Sequence, residues 1–190
     1  DENREHFGLA SGGNRGDSGY PLVRMATLIA ARSHLVAAAA FGPYSTSEYA
    51  YANELWPVIP DDSLTVVDRN YLAAAVLLGL QSGGSNRHWL IRAKTNTRWR
   101  VLESFSTHDK LVEMTVSSEA RRQHPSLPKK FTARAVSYRH PDSKGQQWLL
   151  SSLTDPAEYP ARELVALYHE RWEIELGYDE IKTHMLERRE

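Results

Sequence analysis

The chain has 190 residues, 41% hydrophobic and 25% charged, with a formal net charge of −1. These ordinary globular values exclude disordered, collagenous and fibrous classes, while near-neutrality leaves nucleic acid open because local clustering outweighs the sum. Cysteine is absent, which removes disulfides and thiolate-bound zinc and fits a cytoplasmic protein. The longest apolar runs, Ala26–Ala31 and Leu35–Phe41, fall well short of the roughly 18 to 20 residues of a membrane span, so no membrane partner is expected.

In chain order, Leu9–Gly19 is rich in Gly, Ser and Asn and predicts a loop. Its GGNRG neither follows a strand nor opens a helix, so it is a poor phosphate cradle. Leu22–Ala31 and Leu35–Phe41, separated by Arg32, Ser33 and His34, predict a hairpin, although the alanines of the second run also suit a helix. Thr46–Leu55 predicts a short helix capped by Ser45 or Thr46 and stopped at Pro57. Leu64–Asp68 predicts a buried strand ending on an acid. Tyr71–Leu80 follows as a helix closed by Gly83 and Gly84, and His88–Lys94 as a strand.

From Asn96 to about Gly145 the pattern changes to short alternating strands: Trp99–Phe105, Lys110–Val116 and Phe131–Tyr138. Trp148–Leu153 adds one more, and the basic residues Arg121, Arg122, His124, Lys129 and Lys130 between strands predict a solvated loop. Asp155–Arg188 is a long helical segment entered at Pro156 and Pro160. The expected fold is an α/β core interrupted by a β-rich insertion: core over 1–95, insertion over 96–154, core helix over 155–190.

The last helix carries the chemistry. At ~100° per residue, Tyr168, Arg171, Glu175 and Lys182 fall within an arc of roughly 60°. Leu167, Ile174, Tyr178, Ile181 and Met185 form the expected core stripe beside it, and Glu170, Glu173, Glu180 and His184 face solvent. Such a row can be an ordinary solvated face, with Arg171 and Glu175 as an i,i+4 pair of ~0.3 to 0.5 kcal/mol. One carboxylate among cations and a phenol is also what a phosphodiester site needs, the acid holding a divalent metal and the others the DNA backbone.

The spacing Tyr168, Arg171, Glu175, Lys182 resembles the tyrosine–arginine–glutamate–lysine signature of bacterial insertion-sequence transposases, above all the group named after insertion sequence four. LYHERWEIELGYDEIKTH resembles that family at nearly every position, as do TVVDRNY, HWLIRAKTN, WLLSSLTDP and the opening DENREHFG. The likeness is weakest between about Val101 and Lys144.

The resemblance implies an RNase H-like core, a mixed sheet flanked by helices, with a β-rich insertion before the last catalytic helix. It makes Asp68 and Glu175 the second and third members of an Asp-Asp-Glu triad binding two Mg²⁺ or Mn²⁺ ions. The first strand and first catalytic Asp are expected a short way upstream of Asp1, both chain ends having the look of cuts; neither Asp1 nor Asp17 replaces that Asp. The expected activity is cleavage at transposon ends and strand transfer into target DNA, the partners being terminal inverted repeats, target DNA and a second copy of the protein. A non-catalytic DNA-binding remnant and a purely hydrolytic nuclease are the alternatives.

Tyr168, Arg171 and Lys182 are the expected DNA contacts on the helix. Arg92 and Lys94 are strand-end charges suited to DNA. Trp148 is either a base-stacking platform or a half-buried core residue. Asp68 would also serve as a plain helix N-cap.

Overall fold

The computed structural model describes residues 2–9, 16, 19–139 and 145–180, with 172–180 described as backbone only. The contacts divide the chain into two compact units, Pro60–Leu176 and Asp1–Ile59 with Gly177–Glu190.

In the unit ending at Ile59, α1 (Glu2–Phe7) precedes the strands β1 (Val23–Ala30) and β2 (Leu35–Pro43), which pair antiparallel with Met25 opposite Phe41. The alanine run is therefore a strand. Hydrogen bonding to β1 decides what intrinsic propensity left open, and His34 closes the turn at φ 55°.

Helix α2 (Glu48–Leu55) starts two residues later than expected because Ser47 is the cap, its hydroxyl accepting from Ala50 N at 3.2 Å. A 3-10 turn, Trp56–Val58, carries the chain through Pro57. Tyr51 of α2 donates to the Pro43 carbonyl at 3.1 Å, and a Cβ at position 42 would overlap its hydroxyl, so Gly42 allows the close approach.

The larger unit is built on one mixed sheet in the order β3-β4-β8-β7-β6-β5. Its strands are β3 (Ser63–Val67), β4 (Arg87–Arg92), β5 (Arg100–Ser106), β6 (Asp109–Thr115), β7 (Lys130–Arg139) and β8 (Gln146–Ser151). Only β3 and β4 run parallel, with Val67 opposite Ile91. All other pairs are antiparallel.

Residues 96–154, expected as an insertion, supply β5 to β8, and β8 pairs directly with β4. The basic run near Arg121 contains a helix rather than only a loop: α4 (Ser118–Gln123), capped by the Ser117 hydroxyl on Ala120 N.

Strand residues alternate between faces, and this alternation places a helix on each side of the sheet. Trp89 donates its indole N–H to Gln81 of α3 (Ala74–Ser82). Its neighbour Leu90 turns the other way, into a core with Val136, Tyr138, Leu149, Leu153 and, from α5 (Ala161–Glu180), Leu164 and Tyr168. The segment 155–160, expected as helix, is instead a turn, with Asp155 Oδ1 accepting from Ala157 N at 2.8 Å. Pro160 then leads into the first turn of α5, its carbonyl accepting from Glu163 N.

Candidate active site

The parallel register brings the carboxyl ends of β3 and β4 side by side, where open α/β sheets place their sites. Asp68 follows Val67 directly. Its Oδ1 accepts from Asn70 N at 2.8 Å and so caps a 3-10 turn, Arg69–Tyr71, which delays the helix expected from Tyr71 until Ala74. Its Oδ2 lies 3.5 Å from Arg171 Nη1 on α5, and the carboxylate remains 41% exposed. The capping reading of Asp68 is thus realised on one oxygen, while the other faces a guanidinium from a distant part of the chain.

Arg171 also stands over the Tyr168 ring, 5.8 Å from its centroid. Tyr168 itself is 4% exposed. The expected row beside the core therefore lies, at Tyr168, inside it: Leu164 and Tyr168 centre the buried face, and Leu167 is only half-buried. Burial pushes the Tyr168 phenol above its ordinary range, opposed by Arg171 and Arg92 and reinforced by Asp68. Beside it Tyr138 is also raised, first by burial and then by Tyr168. Both phenols are protonated near neutrality.

Three residues that the sequence did not single out complete the cluster. Tyr138 donates to Gln147 Oε1 at 2.9 Å, and Arg92 Nη1 donates to the same oxygen at 3.1 Å. His169 meets the Tyr138 ring edge-on. Sheet register makes Tyr138, Gln147 and Arg92 neighbours (Tyr138 opposite Gln147, Arg92 opposite Leu149), α5 supplies His169, and no local motif announces either.

Asp68, Tyr168, Arg171 and Arg92 are therefore brought together. Lys94 is exposed just past β4. Trp148, adjacent in sequence to Gln147, points to the opposite face, where it packs edge-on against Trp99 at 5.6 Å with Lys110 Nζ above its ring. Glu175 lies on α5, but its side chain is outside the described residues, as is all of Lys182.

A divalent metal requires hard oxygen donors. Asp68 offers one: an accessible carboxylate whose second oxygen already faces positive charge, so this donor fits. Among the described residues no group of three or more His, Asp or Glu could hold a metal ion.

The chain matches the transposase DDE domain over residues 3–190. The chain belongs to this transposase family. It is 36% identical over 167 residues to the transposase InsG of insertion sequence element IS4 from Escherichia coli K12, an alignment covering 87% of this chain and 37% of that protein. It is also 34% identical over 106 residues to the putative transposase InsZ of the same strain, covering 56% of the chain and 36% of that relative. The chain thus spans little more than a third of the length of the curated relatives it matches. Within this DDE transposase family, the mixed six-stranded sheet flanked by helices is the RNase H-like architecture expected from the sequence.

Proposed function

We propose that this chain is catalytic core of a DNA transposase that cuts phosphodiester bonds at transposon ends and transfers the freed strand into target DNA. The observation that carries the reading is the contact between Asp68 and Arg171, which joins the end of β3 to α5. Glu175 is one helical turn beyond Arg171 on that helix, a spacing that suits two carboxylates to one metal centre.

Asp68 and Glu175 would hold the divalent metal on which the family depends. Two Mg²⁺ or Mn²⁺ ions held there would supply Lewis-acid activation of the attacking hydroxyl and charge neutralisation at the leaving oxygen. Arg171 holds a backbone phosphate beside Asp68, with Tyr168 supporting it from beneath. Arg92, oriented by Gln147, and Lys94 and Lys182 extend the phosphate-binding line. Trp148 serves DNA from the other face of the sheet, as a stacking surface.

The active complex pairs two transposon ends on two copies of the protein. No helix among the described residues is long and apolar enough to cross a membrane, and the proposed place of action is the cytoplasm, at the nucleoid.

The test is cleavage and joining of inverted-repeat DNA with Mg²⁺ by the chain extended to the length of its relatives. Both steps are expected, and Glu175→Gln is expected to abolish them with DNA binding retained. Hydrolysis without joining, binding without cleavage, or full activity in Glu175→Gln would each refute the assignment.

A further inference from the structure

Among the described residues, Arg134 on β7 is wholly buried, its only neighbour of opposite charge being Asp109 at the start of β6. Nε donates to Asp109 Oδ1 at 2.8 Å and Nη2 to Oδ2 at 2.5 Å, a two-point pairing that fixes the plane of the guanidinium. The remaining edge of that plane does something a structural ion pair does not require. Nη1 donates to the carbonyls of both Asp155 and Tyr159, at 3.3 and 2.5 Å.

Those two carbonyls bracket the turn that delivers the chain into α5. Within that turn Tyr159 N bonds back to the Asp155 carbonyl at 3.1 Å, and the helix begins at Ala161. A buried charge is costly unless every partner is in place. Here the partners belong to β6 and to the helix entrance, so satisfying the charge sets where α5 starts.

We infer that Arg134 is a positioning residue: paired with Asp109, it anchors the entrance of α5 and thereby fixes where Tyr168, Arg171 and Glu175 stand relative to Asp68. Its bearing on catalysis rests on the function proposed above; the anchoring itself does not. Arg134 opposes Leu111 on β6 and Ser151 on β8, so the anchor ties the helix to the middle of the strands furnished by residues 96–154. Those strands thus control the geometry of a helix that follows them in the chain.

The experiment is amide hydrogen exchange on the full chain carrying Arg134→Lys, which keeps a cation beside Asp109 but lacks the planar fork that serves both carbonyls. The amides of Tyr159, Glu163 and Leu164 are expected to exchange at least about tenfold faster, while those of β7 and β8 keep their protection. Unchanged exchange at the helix entrance overturns the proposal, as does uniform loosening of the sheet.

If Arg134→Lys does not fold, the paired replacement Asp109→Leu with Arg134→Met removes both charges together, and the same two outcomes decide. In the chain extended to the length of its relatives, Arg134→Lys is expected to slow single-turnover cleavage about tenfold or more, with a clearly smaller loss of DNA affinity because Arg171 is displaced with the helix. Equal loss of affinity and rate overturns the positioning role. A loosened entrance in a protein that never cleaves DNA supports the anchor and sinks the transposase reading instead.

Discussion

Strand β3 is bounded by two aspartates that face arginines, and the two ends differ in how they are held. At its start Asp61 Oδ1 accepts from Ser85 N at 2.9 Å and Arg87 Nε at 3.0 Å, while Asp62 accepts from Asn86. The Arg87 side chain is only 10% exposed, and these partners lie in the loop before β4 and at its first residue. At the other end Asp68 meets Arg171, itself 16% exposed, at the longer distance of 3.5 Å and from an element far along the chain. The first arrangement is a clasp between the residues just before β3 and those at the start of β4. The second rests on an ionic contact half an ångström longer, 3.5 Å against 3.0 Å, between distant parts of the chain. Asp68 can turn Oδ2 from that longer contact to a metal, whereas Asp61 Oδ1 already serves two bonds of 3.0 Å or less.

The comparison is broken most sharply at Asp68. Asp68→Asn keeps an oxygen to cap Asn70 N but removes the charge. In the chain extended to the length of its relatives, Mg²⁺-dependent DNA cleavage should fall by more than the ~10 to 100-fold that loss of a supporting group costs. Stability in urea should change by no more than about 1 kcal/mol. A large loss of stability with cleavage intact would put Asp68 in the same class as Asp61.

The reverse pattern is expected at the clasp. A Cβ at Gly84 would overlap both the Arg87 guanidinium and Asp61 Oδ1. Gly84→Ala should therefore cost about 1 to 3 kcal/mol, read as a lower urea midpoint, while cleavage per folded molecule is unchanged.

Arg171→Ala should shift the fold little and weaken DNA binding. The slope of log K against log salt should become shallower by roughly one, as for loss of a single phosphate contact. An unchanged slope would confine Arg171 to its pairing with Asp68.

The smallest effect concerns the phenols beneath the site. Tyr138 and Tyr168 are raised above the ordinary phenol value by burial. Raised folded values mean that, above the unfolded value of roughly 10, the unfolded chain loses its protons first. The stability they contribute is complete below that pH and declines as pH rises through the folded values. Tyr138→Phe/Tyr168→Phe should therefore flatten the alkaline limb of the stability profile, which denaturant midpoints between pH 8 and 11 would reveal.

Much of this site is written locally. Asp68 follows a β-branched run, and the row from Tyr168 to Lys182 is a spacing pattern, so period and motif suffice to select them. The depth of Tyr168 was not legible, because periodicity gives the width of a buried face but not its centre. Packing of Leu164 onto Leu90 and Leu149 chooses the centre. Nor could Gln147, Tyr138 or the Arg134–Asp109 pair be selected in advance. Each is an unremarkable strand residue until antiparallel register sets it beside its partner, directly opposite for Tyr138 and Gln147 and diagonally for Arg134 and Asp109, and register is a non-local property. The helix expected from Tyr71 failed for a more local reason: Asp68 offers its carboxylate to Asn70 N and sets a tight turn first.

The place of β8 has a consequence for how the protein is made. It sits between β4 and β7, and Ser151 bonds to Trp89 across 62 residues of chain. Until β8 has emerged from the ribosome, β4 and β7 each have an unpaired edge, and such edges can recruit foreign strands. The nascent chain must therefore pass through a vulnerable interval, ended by a late closure whose contacts are too distant in sequence to form quickly.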